Sequence, residues 1–248
     1  MNSTTAGSAA PADLAAAEIV DHAILSRRSV RGFLSQTVPR ETVEHLLRVA
    51  SRAPSGSNIQ PWRAYVLSGD ALTALTDALT AQHDAGVPTT PEYDYYPREW
   101  RSPYLDRRRK AGWGLYQLAG VARGDREAAH QQRARNFSFF GAPVGMVFTL
   151  DPTLGKGGWL DTGMFLQNLM VAARGRGLDT CPQVSIAGYP AVVREHLKLP
   201  ATELVLCGLA LGWADPDEPT NALLTEREDL STFVTFMADR DIHPTRIP

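Results

Sequence analysis

The sequence predicts an α+β fold. Three runs have the length and continuous apolar character of strands: Trp62–Leu67, Pro143–Leu150 and the stretch 203–213. Between them lie longer stretches whose apolar residues recur at helical spacing. The chain has 248 residues, 44% of them hydrophobic, enough to bury a core in one large domain or two small ones.

Residues 1–12 are Ala, Ser, Thr, Gly, Pro and Asn after the initiating Met, a composition expected to be a disordered tail. Asp13 is suited to cap a first helix running to Ser26, with Ala16, Ile19 and Ala23 on one face. Pro39 suits the first turn of a second helix ending near Arg52, with a stripe of Val43, Leu46, Leu47 and Ala50. Pro54 and Gly56 break regular structure before the strand at 62–67. Asp70 then caps a helix carrying Leu72, Leu75 and Leu79.

Residues 86–110 are punctuated by Gly86, Pro88, Pro91, Pro97 and Pro103, and carry Tyr93, Tyr95, Tyr96, Trp100 and Tyr104. A long irregular stretch of this aromatic density is expected to be functional rather than disordered. A helix of mixed polarity is expected over 125–139, and a glycine loop at 155–158 without a Walker pattern. Trp159–Arg174 is apolar almost all round and must be buried on more than one side. Residues 178–190 read as a loop, 190–199 as a short helix and 230–237 as a C-terminal arm.

Two motifs carry chemistry. Ser26-Arg27-Arg28-Ser29-Val30-Arg31 supplies forked, permanently charged donors that fit phosphate oxygens. Its plainer reading is a solvated helix end complementing the macrodipole. Ala53-Pro54-Ser55-Gly56-Ser57-Asn58-Ile59-Gln60-Pro61-Trp62 is a polar turn suited to a planar heterocycle, or else a surface turn satisfying its own backbone. Taken together, in this order and spacing, the two motifs resemble the FMN-dependent nitroreductase family, over about 17–236.

The resemblance implies a single FMN-binding domain over 13–248, with a central, mainly antiparallel sheet flanked by helices in an intertwined homodimer. Residues 86–135 would be its variable lid. Arg27, Arg28 and Ser29 would hold the FMN phosphate and ribityl chain, and Arg227 would add a C-terminal phosphate contact. Arg31 would lie beside the flavin N1/O2 edge, where a fixed cation stabilises the reduced anion. Pro54, Ser55, Asn58 and Gln60 would line the flavin, with Asn58 on its pyrimidine edge. Pro182 matches the family's proline, and a backbone N–H from Gln183, Val184 or Ser185 would face N5. The implied activity takes hydride from NADPH or NADH and reduces a small aromatic substrate by ping-pong turnover, nitroaromatics first and nitrobenzoates among them. No catalytic side chain is required. Quinones, enones, halogenated aromatics or another flavin reaction are the alternatives on the same fold.

Composition narrows the rest. A net charge of -2 gives no bulk argument for nucleic acid or membranes. A binding module using the basic run Arg107-Arg108-Arg109-Lys110 is the contrasting reading, and it predicts no flavin. Cys181 and Cys207 form no CxxC pair and read as reduced thiols of a cytoplasmic protein. The six histidines show no zinc spacing with them, so no metal is expected. No apolar stretch approaches membrane-spanning length.

Overall fold

The computed structural model describes residues 14–237. The expected tail and the Asp13 cap lie outside them. Helices α1 (Leu14–Ser26) and α2 (Arg40–Ala50) lead into strand β1 (Arg63–Ser68) and helix α3 (Gly69–Asp84). Helices α4 (Tyr104–Leu118) and α5 (Arg126–Ala134) follow, then β2 (Val144–Leu150) and the long helix α6 (Gly155–Arg174). The chain closes with β3 (Asp179–Gln183), α7 (Pro190–Leu197), β4 (Leu204–Gly212) and a single turn of helix, α8 (Leu230–Phe233).

The strands form one four-stranded sheet in the order β1-β2-β4-β3, antiparallel throughout. Every residue of β2 is buried, and so is nearly all of β4. Side chains alternate between faces along a strand. Val147 and Ala210 join one core, with Leu72, Leu75 and Leu79 of α3 and Val193 of α7, and a register shift between β2 and β4 brings Val205 to the same side. Met146, Phe148, Leu209 and Leu211 join the other, with Leu46 of α2 and Phe165 and Leu169 of α6. Burial on both faces is why these two strands read as unbroken apolar runs.

Close packing on this sheet uses glycine at a defined place. A Cβ on Gly208 would stand 2.5 Å from Ile186 Cγ1 and 3.2 Å from the ring of the fully buried Phe139.

Several sequence expectations shift for physical reasons. Helix α3 starts at Gly69, with Ser68 at the cap position, so Asp70 lies in the first turn rather than capping it. Helix α6 absorbs the expected glycine loop and starts four residues before Trp159. Residues 104–110, expected to be irregular, form the start of α4. The loop expected at 178–190 contains an edge strand, β3, which accepts Pro182 because an edge leaves one row of backbone groups unpaired. Helix α6 packs on the sheet and on α1 and α2, and leaves one face open: Leu160 is 68% exposed, and Gly163 and Gln167 follow it on that face.

Gly208→Ala should cost about 1–3 kcal/mol, the usual penalty of overpacking a tight core. Equilibrium urea denaturation would measure it, as a shift in midpoint at constant slope.

Candidate functional site

Helix α1 hands the chain to an extended segment that runs beside β3. Ser29 forms a parallel bridge with Thr180, and Val30 N donates to Thr180 O at 3.1 Å. The end of α1 is held from α6, where Arg174 Nε donates to Ser26 Oγ at 2.9 Å and Arg174 Nη1 pairs with Asp179 at 3.1 Å.

This segment walls a cavity of about 710 Å³ shared with Gln167, Arg174, residues 223–225 and Arg227. Arg27, Arg28, Ser29 and Arg31 all line it. Burial, and then the charge of Arg227, hold the Arg27 guanidinium below its ordinary value. Arg227 is itself fixed by Nη1 bonds to Thr225 O at 3.0 Å and to Thr225 Oγ1 at 2.9 Å. Among the described residues, no carboxylate pairs with Arg27, Arg28, Arg31 or Arg227. Facing guanidiniums with no carboxylate partner have the chemistry to receive an anion.

Arg31 is positioned by residues that the sequence reading passed over. Its backbone N–H donates to Asn221 Oδ1 at 2.7 Å, and Asn221 Nδ2 donates to Gly32 O at 2.8 Å. Arg135 Nη2 donates to Arg31 O at 2.7 Å and pairs with Glu218 at 2.6 Å. Glu218 packs so tightly that a Cβ on Gly32 would meet its Cγ at 2.3 Å. Neither Glu218 nor Asn221 lies in a motif, and the turn at 215–222 reads as plain punctuation. Burial alone would raise the Glu218 carboxyl, but hydrogen bonds from Arg135 and Thr220 outweigh it and hold the group below its ordinary 4.5.

The second motif folds as a strained turn. Ser57, Asn58 and Gln60 have φ of 49°, 59° and 48°, a region that side chains other than glycine seldom occupy. The buried Asp161 of α6 accepts from Gly56 N at 3.1 Å, Ser55 Oγ accepts from Gln60 N at 3.0 Å, and Asn58 O accepts from Gln60 Nε2 at 3.2 Å. Pro54 is exposed. Trp62 stacks on Phe165 with ring centroids 4.9 Å apart and ties the turn's exit to α6.

Pro54, Ser55, Asn58 and Gln60 do not line the arginine cavity. The turn meets α6 at Asp161, through Gly56 N, whereas the cavity is lined by Gln167 and Arg174, six and thirteen residues on. At roughly 1.5 Å per residue these lie about 9 and about 20 Å along the helix.

Between the two motifs in the sheet lie Pro182, exposed, and Gln183, buried, with Val184 and Ser185 half-buried in the turn after β3. Gln183 Nε2 donates to Asn136 O at 2.6 Å. Three atoms here are buried without a hydrogen-bond partner among the described residues: Thr180 Oγ1, Gln183 Oε1 and Ser185 Oγ. Native interiors rarely leave such atoms unpaired, so they point to groups supplied from outside this chain. Cys181 is no nucleophile, because burial pushes its thiol up to about 11 despite nearby Arg31 and Arg27.

The expected lid divides in two. Residues 87–93 are fastened to the core: Tyr189 Oη donates to Val87 O at 3.0 Å, Glu92 accepts from Val205 N at 2.8 Å, and the Tyr93 hydroxyl donates to Leu206 O. Helices α4 and α5 form the part near Arg31. Away from all of this, the stacked rings of His83 and His130, 4.1 Å apart, and Asp84 bring possible metal-ligating atoms within 4.8 Å of one another. Spacing to cysteine could not reveal this group, since it is assembled from α3 and α5. His83 is turned to His130 O at 3.2 Å, and His130 to Asp84 at 3.2 Å.

The Nitroreductase family model matches residues 24–213. The chain belongs to the nitroreductase family. A 4-nitrobenzoate reductase of Nocardioides sp. (strain LMS-CY) is 39% identical over 244 residues, covering 94% of this chain and 99% of that protein. A chloronitrobenzene nitroreductase of Comamonas testosteroni is 42% identical over 88% of this chain and 96% of its own. Among solved structures, the FMN and NADPH-dependent nitroreductase NfnB from sphigopyxis sp. strain HMH superposes with a TM-score of 0.85 at 37% identity, covering 88% of this chain and 99% of that one. The sheet and its flanking helices are thus the nitroreductase fold.

The Arg31 support has an acid signature. A carboxyl with a depressed folded value contributes stability above its ordinary 4.5 and loses it as pH falls through the lower folded value. Thermal midpoints followed from neutral pH to about pH 3 should drop on the acid limb, and Glu218→Gln should flatten that limb while lowering the neutral plateau.

Proposed function

We propose that this nitroreductase is a homodimeric, FMN-dependent oxidoreductase that takes hydride from NADPH or NADH and reduces nitroaromatic compounds. The observation that carries the reading is the arginine cavity. Its facing guanidiniums, Arg27 and Arg227, pair with no carboxylate among the described residues and fit a phosphate group. Arg28 and Ser29 add donors on the same wall. The relatives described above act on nitroaromatics by name, and the similar solved structure is FMN and NADPH-dependent.

When bound, FMN supplies the two-electron redox chemistry, accepting hydride from the nicotinamide and delivering electrons to the nitro group. The protein's part is binding, orientation and electrostatics. Arg27, Arg28 and Arg227 bind the phosphate. Arg31, with Nη1 directed to Ser29 O at 3.1 Å and its backbone clamped by Asn221 and Arg135, offers a fixed cation where negative charge develops. The end of β3 and the turn after it, where Pro182 precedes Gln183, Val184 and Ser185, offer the backbone N–H groups of the latter three and the orphaned Ser185 hydroxyl. No side chain needs to act as nucleophile or general base.

The separation of the motifs supports the homodimer. In one chain the 54–60 turn meets α6 at Asp161, while the 27–31 clamp shares its cavity with Gln167 and Arg174. A two-fold axis across the open face of α6 sets the partner's turn beside this chain's clamp, since symmetric interfaces pair residue i with j and j with i. Pro54, Ser55, Asn58 and Gln60 then complete the partner's site. The exposed apolar residues Leu160 on α6, Ile19 and Leu25 on α1, and Leu230, Phe233 and Phe236 on the C-terminal arm support such an interface. We read residues 13–248 as one FMN-binding domain, with the lid in 86–135. The proposed compartment is the cytoplasm; no helix among the described residues is long and apolar enough to cross a membrane.

The purified protein should be yellow. Anaerobic NADPH should bleach it, and 4-nitrobenzoate or nitrobenzene should restore the colour stoichiometrically. Bleaching without restoration by any nitro compound would reject the substrate class. Replacing Arg27 and Arg28 together by Ala should abolish FMN retention, and stoichiometric flavin in that variant would refute the clamp. Leu160→Asp should lower the sedimenting mass and the flavin content together. Full flavin on a monomer would disprove the shared site.

A further inference from the structure

We propose that the cavity between α4 and α5 is a subsite for the carboxylate of an aromatic acid. The inference rests on the nitroreductase reading and specifies its substrate class. The cavity holds about 440 Å³, and Arg31, which also lines the clamp, closes one end of it. That volume suits a single-ring molecule, near the low end of the roughly 300–1,000 Å³ usual for small-ligand sites.

Its donors are uncommitted. Gln132 is 9% exposed, and its Oε1 accepts from Arg135 Nη1 at 3.5 Å. Gln132 lines the cavity, and its buried Nε2 has no partner among the described residues. A buried amide N–H₂ left unpaired calls for an acceptor from outside the chain. The basic run at 107–110 is largely accounted for. Arg107 pairs with Glu228 at 2.7 Å, Lys110 pairs with Glu226 at 2.5 Å, and Arg108 lies over the Trp100 ring at 5.0 Å. Arg109 has no acid partner among the described residues, and neither has Arg133 on α5; both line this cavity. Two guanidiniums and a neutral amide donor form a carboxylate-recognising set. Trp113, Tyr116 and Phe140 supply apolar walls for the ring that carries it.

The test uses the FMN-loaded enzyme. Benzoate, which carries no nitro group, is titrated calorimetrically into wild type, Arg109→Gln, Arg133→Gln and Gln132→Met. The ratio of kcat/KM for 4-nitrobenzoate over nitrobenzene is measured alongside. We expect benzoate affinity and that ratio to fall about tenfold or more on loss of each charge-assisted contact. Should Gln132→Met disturb packing, the exposed Arg109 and Arg133 variants still decide. An unchanged ratio with intact benzoate binding in the Arg109→Gln/Arg133→Gln double variant overturns the proposal. So does a rise confined to the KM for NADPH and not NADH, which would give the cavity to the cofactor's 2′-phosphate. An enzyme that reduces neither nitro compound would refute the proposed function instead, and the benzoate titration would still judge the subsite.

Discussion

The backbone of Arg31 and Gly32 is the point on which the candidate site depends. Asn221 takes both the Arg31 N–H and the Gly32 carbonyl, and the Arg135–Glu218 pair takes the Arg31 carbonyl. Each is a buried or half-buried backbone group that would otherwise be costly to leave unpaired, about 1–3 kcal/mol apiece. Arg31 is shared by two cavities, one lined by Arg27, Arg28 and Arg227 and the other lying between α4 and α5. A shift of this segment would therefore disturb both at once. Three separate parts of the chain meet here: the end of the first motif, the helix α5 and the turn after β4.

That convergence explains how much was legible in sequence. The central strands were, because burial on both faces writes an unbroken apolar run. The arginine cluster was also legible, because its members lie in one short segment, the same segment that lines the cavity. Asn221, Glu218 and Arg135 were not. A polar residue that pairs with a backbone carries no periodic signal, and its partner lies at a sequence separation of 190 in the case of Asn221. The start of α6 is hidden in sequence because Gly155, Gly157 and Gly158 look like a loop; in the fold Gly158 is buried, where an added Cβ would meet Leu154 and Pro61. Pro182 masked an edge strand for the complementary reason, since proline argues against a ladder and an edge tolerates it. The His83–Asp84–His130 group shows the same limit, because its parts come from two helices.

The strained turn and the open face of α6 share one explanation. Three non-glycine residues at positive φ each cost of order 1–3 kcal/mol, and such strain persists only where the surroundings fix it. Asp161 supplies part of that fixing from inside α6, through Gly56 N. Its neighbour Leu160 faces outward at 68% exposure. Consecutive residues on one helix thus hold the turn from within and expose an apolar side chain, so in the proposed dimer, assembly and presentation of the turn would be coupled.

Electrostatics link that event to the flavin. The chain's net charge is only -2, yet its clamp gathers guanidiniums, and burial first, then the charge of Arg227, lower the value at Arg27. The folded state bears that burial and repulsion; in the unfolded chain the same charges are hydrated and dispersed. A ligand that binds the folded form alone stabilises it by RT ln(1 + [L]/Kd), about 2.7 kcal/mol at a hundredfold excess over Kd. A phosphate that also removes the repulsion binds with that relief added to its own contacts. The flavin would then be part of what holds the clamp, the turn and the two chains together, as well as the group that carries the electrons.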